Sequence, residues 1–384
     1  MSLRICHLAD IHLGYRKYTK LTRTGLNQRE VDVSLAFREC IDRIIVLNPD
    51  AILIAGDLFH QVRPSNAVVT FCFRELRRLA QKTGAPIIII AGNHETPKRV
   101  DSGCILRLFT EIPGVYVADT KSERFSFPEK KLSVLAVPHA ALLAPQPGEF
   151  RSDERFKYNI LLTHAQVGER WMSEFGGATI ALDMLSPHEW DYVALGHVHV
   201  RQEVALGCWY AGAIEHTAND IWSESREQKG FLEVDVPAKR VTAHNLTSPR
   251  LVVPLDTIDG MGREPAEIDA LVREALDGVA GGIEGKILRL EVINVPREIF
   301  RRLNHRELRA LRAQALHLAL EIRPPQVFRG DKPLSGNRRG RLEDDLREYC
   351  AEWRPTTGVE TSKVFEVIKR YIHKAEGTDE APLA

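Results

Sequence analysis

The hydrophobic positions of this chain fall into short, unbroken apolar runs separated by longer stretches of helical spacing. Leu3–Leu8 reads as a strand. Phe37, Cys40, Ile41, Ile44 and Ile45 then recur at three- and four-residue intervals, which predicts a helix that Pro49 ends. Ala51–Ala55 is a second apolar run. Ser65 stands as an N-cap before a stripe of Val69, Cys72, Phe73, Leu76 and Ala80. Pro86–Ala91, rich in isoleucine, is a third strand. Continuously apolar strands alternating with helices predict a buried, largely parallel sheet, an α/β arrangement.

Beyond residue 110 the helical spacing weakens. Val115–Ala118, Leu132–Val137, Tyr158–Thr163, Tyr192–Leu195, Cys208–Ala211 and Phe231–Val236 read as strands, which two packed sheets with helices outside would accommodate. The composition shifts around Ser248–Asp259. A smaller α/β unit follows, with a helix near Ala266–Leu276, a strand Lys286–Ile293 and a helix from about Arg297 to Leu311. Pro324–Gly340, rich in Pro, Gly and Arg, reads as a linker to two amphipathic helices, Leu342–Trp353 and Glu360–His373. The expected domains are 1–250, 251–330 and 331–384.

At 384 residues the chain exceeds one ordinary core. Its 52 basic and 52 acidic residues cancel, so any argument for an anionic partner must be local. The six cysteines are scattered without a CxxC pair, which disfavours a disulfide framework or a cysteine zinc site. No long apolar segment opens the chain and none is long enough to span a membrane, so a cytoplasmic protein is expected.

Five polar motifs each follow directly on an apolar strand: Asp10-Ile11-His12, Gly56-Asp57, Gly92-Asn93-His94-Glu95, Thr163-His164 and Gly196-His197-Val198-His199. Parallel strands present their carboxyl ends on one edge, so motifs far apart in sequence would converge there. One histidine at a strand end is ordinarily structural, and a lone DxH or HxH is little better. Five together are a constellation. Asp10, His12, Asp57, Asn93, His164, His197 and His199 offer carboxylate, amide and imidazole donors without thiolate. That set suits Mn²⁺ first, with Zn²⁺ or Fe²⁺ as alternatives. Seven ligands exceed the needs of one ion that keeps an open position, but they suit two ions sharing a carboxylate, a pair that serves phosphoryl displacement.

The order DxH, GD, GNHE, H, GHxH resembles the calcineurin-like metallophosphoesterases. ADIHLG, GDLFHQVRPSN, GNHE, TH and LGHVH look like the SbcD family, nuclease subunits of the SbcC–SbcD DNA double-strand-break repair complex. The motifs cover residues 10–199; the downstream regions match in layout only. The resemblance implies a two-sheet core flanked by helices, with a small α/β capping domain and a C-terminal helix pair. It implies one ion on Asp10, His12 and His199, a second on Asn93, His164 and His197, and Asp57 bridging. His94 would then contact the scissile phosphate and assist the leaving oxygen, and His60 would lie near the DNA backbone, although a solvated loop histidine reads as well there. GNHE replaces the more frequent GNHD, and the DRG of phosphoprotein phosphatases is absent. His7, His139, His188 and His216 match no motif and are read as structural.

Arg16, Lys17, Lys20, Arg23 and Arg29, with Tyr15 and Tyr18 among them, follow the first motif and form a candidate DNA-contacting loop. Residues 296–341 carry eleven Arg and one Lys against three Glu and one Asp, a second candidate surface for DNA or an acidic partner. The resemblance implies that the C-terminal helices bind an SbcC-type, SMC-like coiled-coil ATPase, and that a homodimer forms through the Ser65–Gln81 helix. The expected activity is Mn²⁺-dependent 3′-to-5′ exonuclease and endonuclease cleavage of DNA ends or hairpins. A small-molecule phosphodiesterase or phosphatase, or a non-catalytic DNA-end scaffold, are the alternatives.

Overall fold

A computed structural model describes residues 3–96, 103–144, 150–168, 178–325 and 363–369. The strands of its first half are β1 (Arg4–Leu8), β2 (Ala51–Ile54), β3 (Ile87–Ile90), β4 (Val115–Ala118), β5 (Glu123–Phe127), β6 (Leu132–Val137), β7 (Tyr158–His164) and β8 (Gln166–Val167). Then come β9 (Thr179–Ile180), β10 (Tyr192–Gly196), β11 (Gln202–Ala205), β12 (Cys208–Tyr210), β13 (Gly230–Asp235) and β14 (Arg240–Asn245). One six-stranded sheet runs β14-β13-β1-β2-β3-β4 and the other β11-β12-β10-β7-β6-β5. The inner pairs β1–β2–β3–β4 and β6–β7–β10–β12 are parallel. Antiparallel strands close three edges: β13 and β14, β5, and β11. The sheets are therefore mixed rather than wholly parallel.

Period-two alternation explains the layers. In β3, Ile87 and Ile89 face α1 (Gln28–Leu47) and α2 (Asn66–Thr83), whereas Ile88 and Ile90 face the second sheet. Each such side chain contributes roughly 1.5–3 kcal/mol when fully buried. The inter-sheet layer also holds Leu53, Val134, Ile160, Leu162 and Ala194. A further layer, including Leu135, Leu161 and Val193, covers the outer face of the second sheet. Ser65 caps α2 by accepting a hydrogen bond from the Val68 amide, as its position predicts. Two single-turn helices, α3 (His139–Leu142) and α4 (Leu182–Leu185), lie in the second half.

Residues 3–325 belong to one compact unit. Within it, β15 (Val252–Pro254), α5 (Pro265–Asp277), β17 (Ile287–Ile293) and β18 (His317–Ile322) enclose a small core of their own, with the two-residue β16 (Ile258–Asp259) beside β17. The single helix expected over Arg297–Leu311 is two, α6 (Arg297–Arg302) and α7 (His305–Gln314). Leu303 is extended, and the Asn304 side chain accepts from the Glu307 amide, so an N-cap restarts the helix. Residues 363–369 are helical, inside the expected Glu360–His373 helix; the linker and the Leu342–Trp353 helix lie outside the described residues.

Candidate metal centre

Each motif leaves its strand at the carboxyl edge. Asp10 and His12 follow β1, Asp57 follows β2, Asn93 follows β3, His164 ends β7, and His197 and His199 follow β10. Asp10, His12, Asp57 and His197 all have positive φ, at 51°, 54°, 52° and 100°. Non-glycine residues pay of order 1–3 kcal/mol there, and such strain persists where the surroundings over-determine it. Two glycines show how tight the surroundings are. A Cβ on Gly92 would stand 2.1 Å from Asp57 Oδ1, and one on Gly196 would stand 1.8 Å from the Ala55 carbonyl oxygen. Only glycine lets these backbones approach the site so closely.

The donors converge in two groups. Asp10, His12 and His199 form one, with His12 Nε2 and His199 Nε2 3.0 Å apart. In the other, Asn93 Oδ1 lies 2.9 Å from His164 Nε2 and 3.1 Å from His197 Nδ1. Asp57 Oδ2 sits between them, 3.5 Å from His164 Nε2 and 3.8 Å from His12 Nε2. His164 Nδ1 faces the Ala55 carbonyl oxygen at 2.7 Å and must carry the proton of that bond. Its Nε2 lone pair then meets the Asn93 oxygen, another acceptor. Acceptors this close are unfavourable unless a proton or a cation lies between them, so the donor set fits divalent ions.

Electrostatics point the same way. Burial lowers His12 well below the usual imidazole range and His197 to about 3, which leaves both rings neutral, the form a metal ligand needs. Burial would also depress His164, but the Asp57 carboxylate overrides it and lifts the ring to about 9.

His94 is placed differently. Its Nδ1 donates to the His60 carbonyl oxygen at 2.7 Å, and its Nε2 points inward, 3.9 Å from Asp57 Oδ2. A third of the side chain is exposed. His60 packs around His12 and His94, with ring centroids 5.3 and 5.1 Å away, and burial lowers its pKa to about 4. Glu95 is fully buried and accepts from the Asp57, Phe59 and Gly92 amides, so the longer acid of GNHE holds the loop that carries Asp57.

The basic loop departs from expectation. Arg29 lies inside α1 and is buried, paired with Asp32 at 3.0 Å and Glu215 at 3.1 Å, so it is no DNA contact. Tyr15 is buried against His60, and Tyr18 stacks on His317, so neither aromatic ring is free for a base. Lys17 donates to the Asn219 carbonyl and Lys20 to that of Ala313. Arg16 is exposed and pairs with Glu30; Arg23 is exposed. His7 and His216 are buried, and His139 bridges Thr96 and the Ala178 amide from the edge of the site. Sequence reasoning missed Glu224 and Lys229, which hold His199 from behind. Glu224 lies in a turn and Lys229 just before β13, neither within a motif, so nothing in the sequence marks them.

The model of the calcineurin-like phosphoesterase family matches residues 3–201. Similar curated relatives are DNA double-strand break repair proteins Mre11. The one from Methanococcus maripaludis is 29% identical over 241 residues, which is 60% of this chain and 62% of the relative. The one from Methanocaldococcus jannaschii is 27% identical, over 60% and 61%. The one from Sulfurisphaera tokodaii is 31% identical, over 53% and 50%. The chain thus spans between half and about three-fifths of the length of these relatives.

Proposed function

The chain belongs to the calcineurin-like phosphoesterase family, and from that premise we propose that it is a metal-dependent phosphodiesterase that cuts DNA at double-strand ends or hairpins. The observation that carries the reading is the convergence of two donor groups on Asp57. Asp10, His12 and His199 would hold one ion and Asn93, His164 and His197 the other, with Asp57 placed to serve both; Mn²⁺ suits this donor set best. When bound, the two ions supply the positive charge that activates water and stabilises the developing charge on the phosphoryl group.

The chain's own residues do the rest. The buried shell, with Glu95 beneath it, fixes the ligand loops before substrate arrives, so little reorganisation is left for the reaction. The His60 carbonyl pins His94 through Nδ1 and aims Nε2 at the centre. With that bond in place, the protonated ring is the form that donates from Nε2 to the leaving oxygen.

DNA as the substrate, 3′-to-5′ polarity and an SMC-like ATPase partner rest on the SbcD resemblance and on the repair-protein relatives. Residues 335–384 carry the ATPase contact, and α2 carries a homodimer contact. Deleting 335–384 is expected to leave metal-dependent cleavage while abolishing co-purification with the ATPase; undiminished co-purification would rule that out. The test of substrate class is end-labelled duplex and hairpin DNA incubated with the purified chain and Mn²⁺. Degradation is expected. Intact DNA alongside turnover of a cyclic nucleotide or phosphomonoester would assign the site to a small-molecule phosphoesterase. Two bound ions without any turnover would leave a scaffold.

A further inference from the structure

Both ends of His199 face one buried ion pair. Its ring Nδ1 lies 3.4 Å from Glu224 Oε1. Its carbonyl oxygen accepts from Lys229 Nζ at 3.0 Å, and the same Nζ lies 2.6 Å from Glu224 Oε2. The side chains of Glu224 and Lys229 are 4% and 1% exposed. Burying two charges costs free energy that their mutual attraction repays only in part, so a pair in this position calls for a reason beyond stability.

The chemistry of the imidazole supplies one. A neutral ring carries one proton. If Nδ1–H points at a carboxylate, Nε2 presents a lone pair, and here it points at His12 Nε2, 3.0 Å away. Thr217 Oγ1, 3.5 Å from Nδ1, is the competing partner, but a hydroxyl can donate as well as accept and fixes no tautomer. The carboxylate accepts only. Lys229 Nζ lies 2.6 Å from that carboxylate and ties the His199 carbonyl to the same point, which fixes the ring's direction.

We infer that Glu224, clamped by Lys229, is a positioning residue that fixes the tautomer and aim of His199 and thereby sets the affinity of the centre formed by Asp10, His12 and His199. The inference rests on the two-ion reading of the site. Outer partners of this type are worth about 10–100-fold in metal affinity. The alternative role is that Glu224 only neutralises the buried Lys229.

The two roles separate in a calorimetric titration of metal-free protein with Mn²⁺, accompanied by thermal denaturation of the metal-free forms. The wild type is expected to bind two ions. Glu224→Gln is expected to weaken one of them by about 10–100-fold and leave the other unchanged. Because Gln leaves Lys229 buried without a counter-charge, the double variant Glu224→Gln/Lys229→Met removes both charges and serves where the single variant does not fold. It is expected to bind one ion as weakly as the single variant. Wild-type affinity at both centres in the double variant would overturn the inference and make Glu224 a counter-ion. An equal loss at both centres would overturn it too, as general damage. A wild type that binds no ion pair would defeat the two-ion reading itself, which is a distinct result.

Discussion

Asn93 and His94 are adjacent, yet the chain sends them to different tasks: the amide oxygen faces His164 and His197, while the imidazole is held from outside by the His60 carbonyl. His94→Ala is therefore expected to retain both ions and to lose phosphodiester hydrolysis by about 10²–10⁴-fold, the ordinary worth of a placed acid. Metal analysis alongside a rate measurement checks both halves, and loss of an ion would make His94 a ligand. Arg29 is the opposite case, a residue whose charge suggests DNA and whose position is structural. Its guanidinium meets Asp32, Glu215 and the His216 carbonyl in the interior, and Arg250 meets the same Asp32 at 2.7 Å. Arg29→Ala leaves buried carboxylates short of a partner and is expected to cost about 3–5 kcal/mol in urea denaturation. A change under 1 kcal/mol, with weakened DNA binding instead, would restore it to the DNA surface. Side-chain types and strand ends were enough to pick out in the sequence the seven residues that the fold brings together. Tyr15, Tyr18 and Arg29 were misread because charge and aromaticity do not say which way a loop folds.

Strands with continuous apolar runs were legible because both of their faces are buried, as in β2, β3 and β6, where every residue is buried. The edge strands β11 and β14 were not, since half-exposed, polar-rich sequences such as QEVA and RVTAHN lack that signature. The α6–α7 break escaped notice because Asn304 sits in an otherwise continuous helical pattern. The glycines of GN and GH read only as motif letters in the sequence; the structure gives them a steric purpose. Gly196→Ala would drive a methyl into the Ala55 carbonyl, which also holds His164 Nδ1. It is expected to displace β10 from β2 and reduce Mn²⁺ affinity at least tenfold, as loss of an outer partner does. Unaltered affinity by calorimetry would show that the strands can part without cost to the site.

Across the compact unit, the core around α5, β17 and β18 is joined to the two-sheet body through Ile221, Val252, Ile287 and Leu316, with Tyr18 and Trp222 packed alongside. The composition change near Ser248–Asp259 precedes the residues of this smaller core; the seam itself left no sequence signal, because its residues come from five distant segments. A contact between α1 and the segment that follows β14 carries a pH signature. Glu39, in α1, accepts from the Thr247 and Ser248 amides at the exit of the larger domain. Burial would raise its carboxyl, but the hydrogen bonds from Ser248 and Thr247 outweigh that and hold it at about 2. A depressed carboxyl contributes its full stability above the unfolded value of 4.5 and loses it as the pH falls through 2. Glu39→Gln is expected to flatten that acid limb in melting temperatures measured from pH 5 to 2; an unchanged limb would assign acid sensitivity elsewhere. The central claim, a binuclear centre built by five strand ends, is tested most directly by metal stoichiometry. Equilibrium dialysis of the metal-free chain against Mn²⁺ is expected to give two ions per chain for the wild type and one for Asn93→Ala. One ion or none in the wild type would contradict the account.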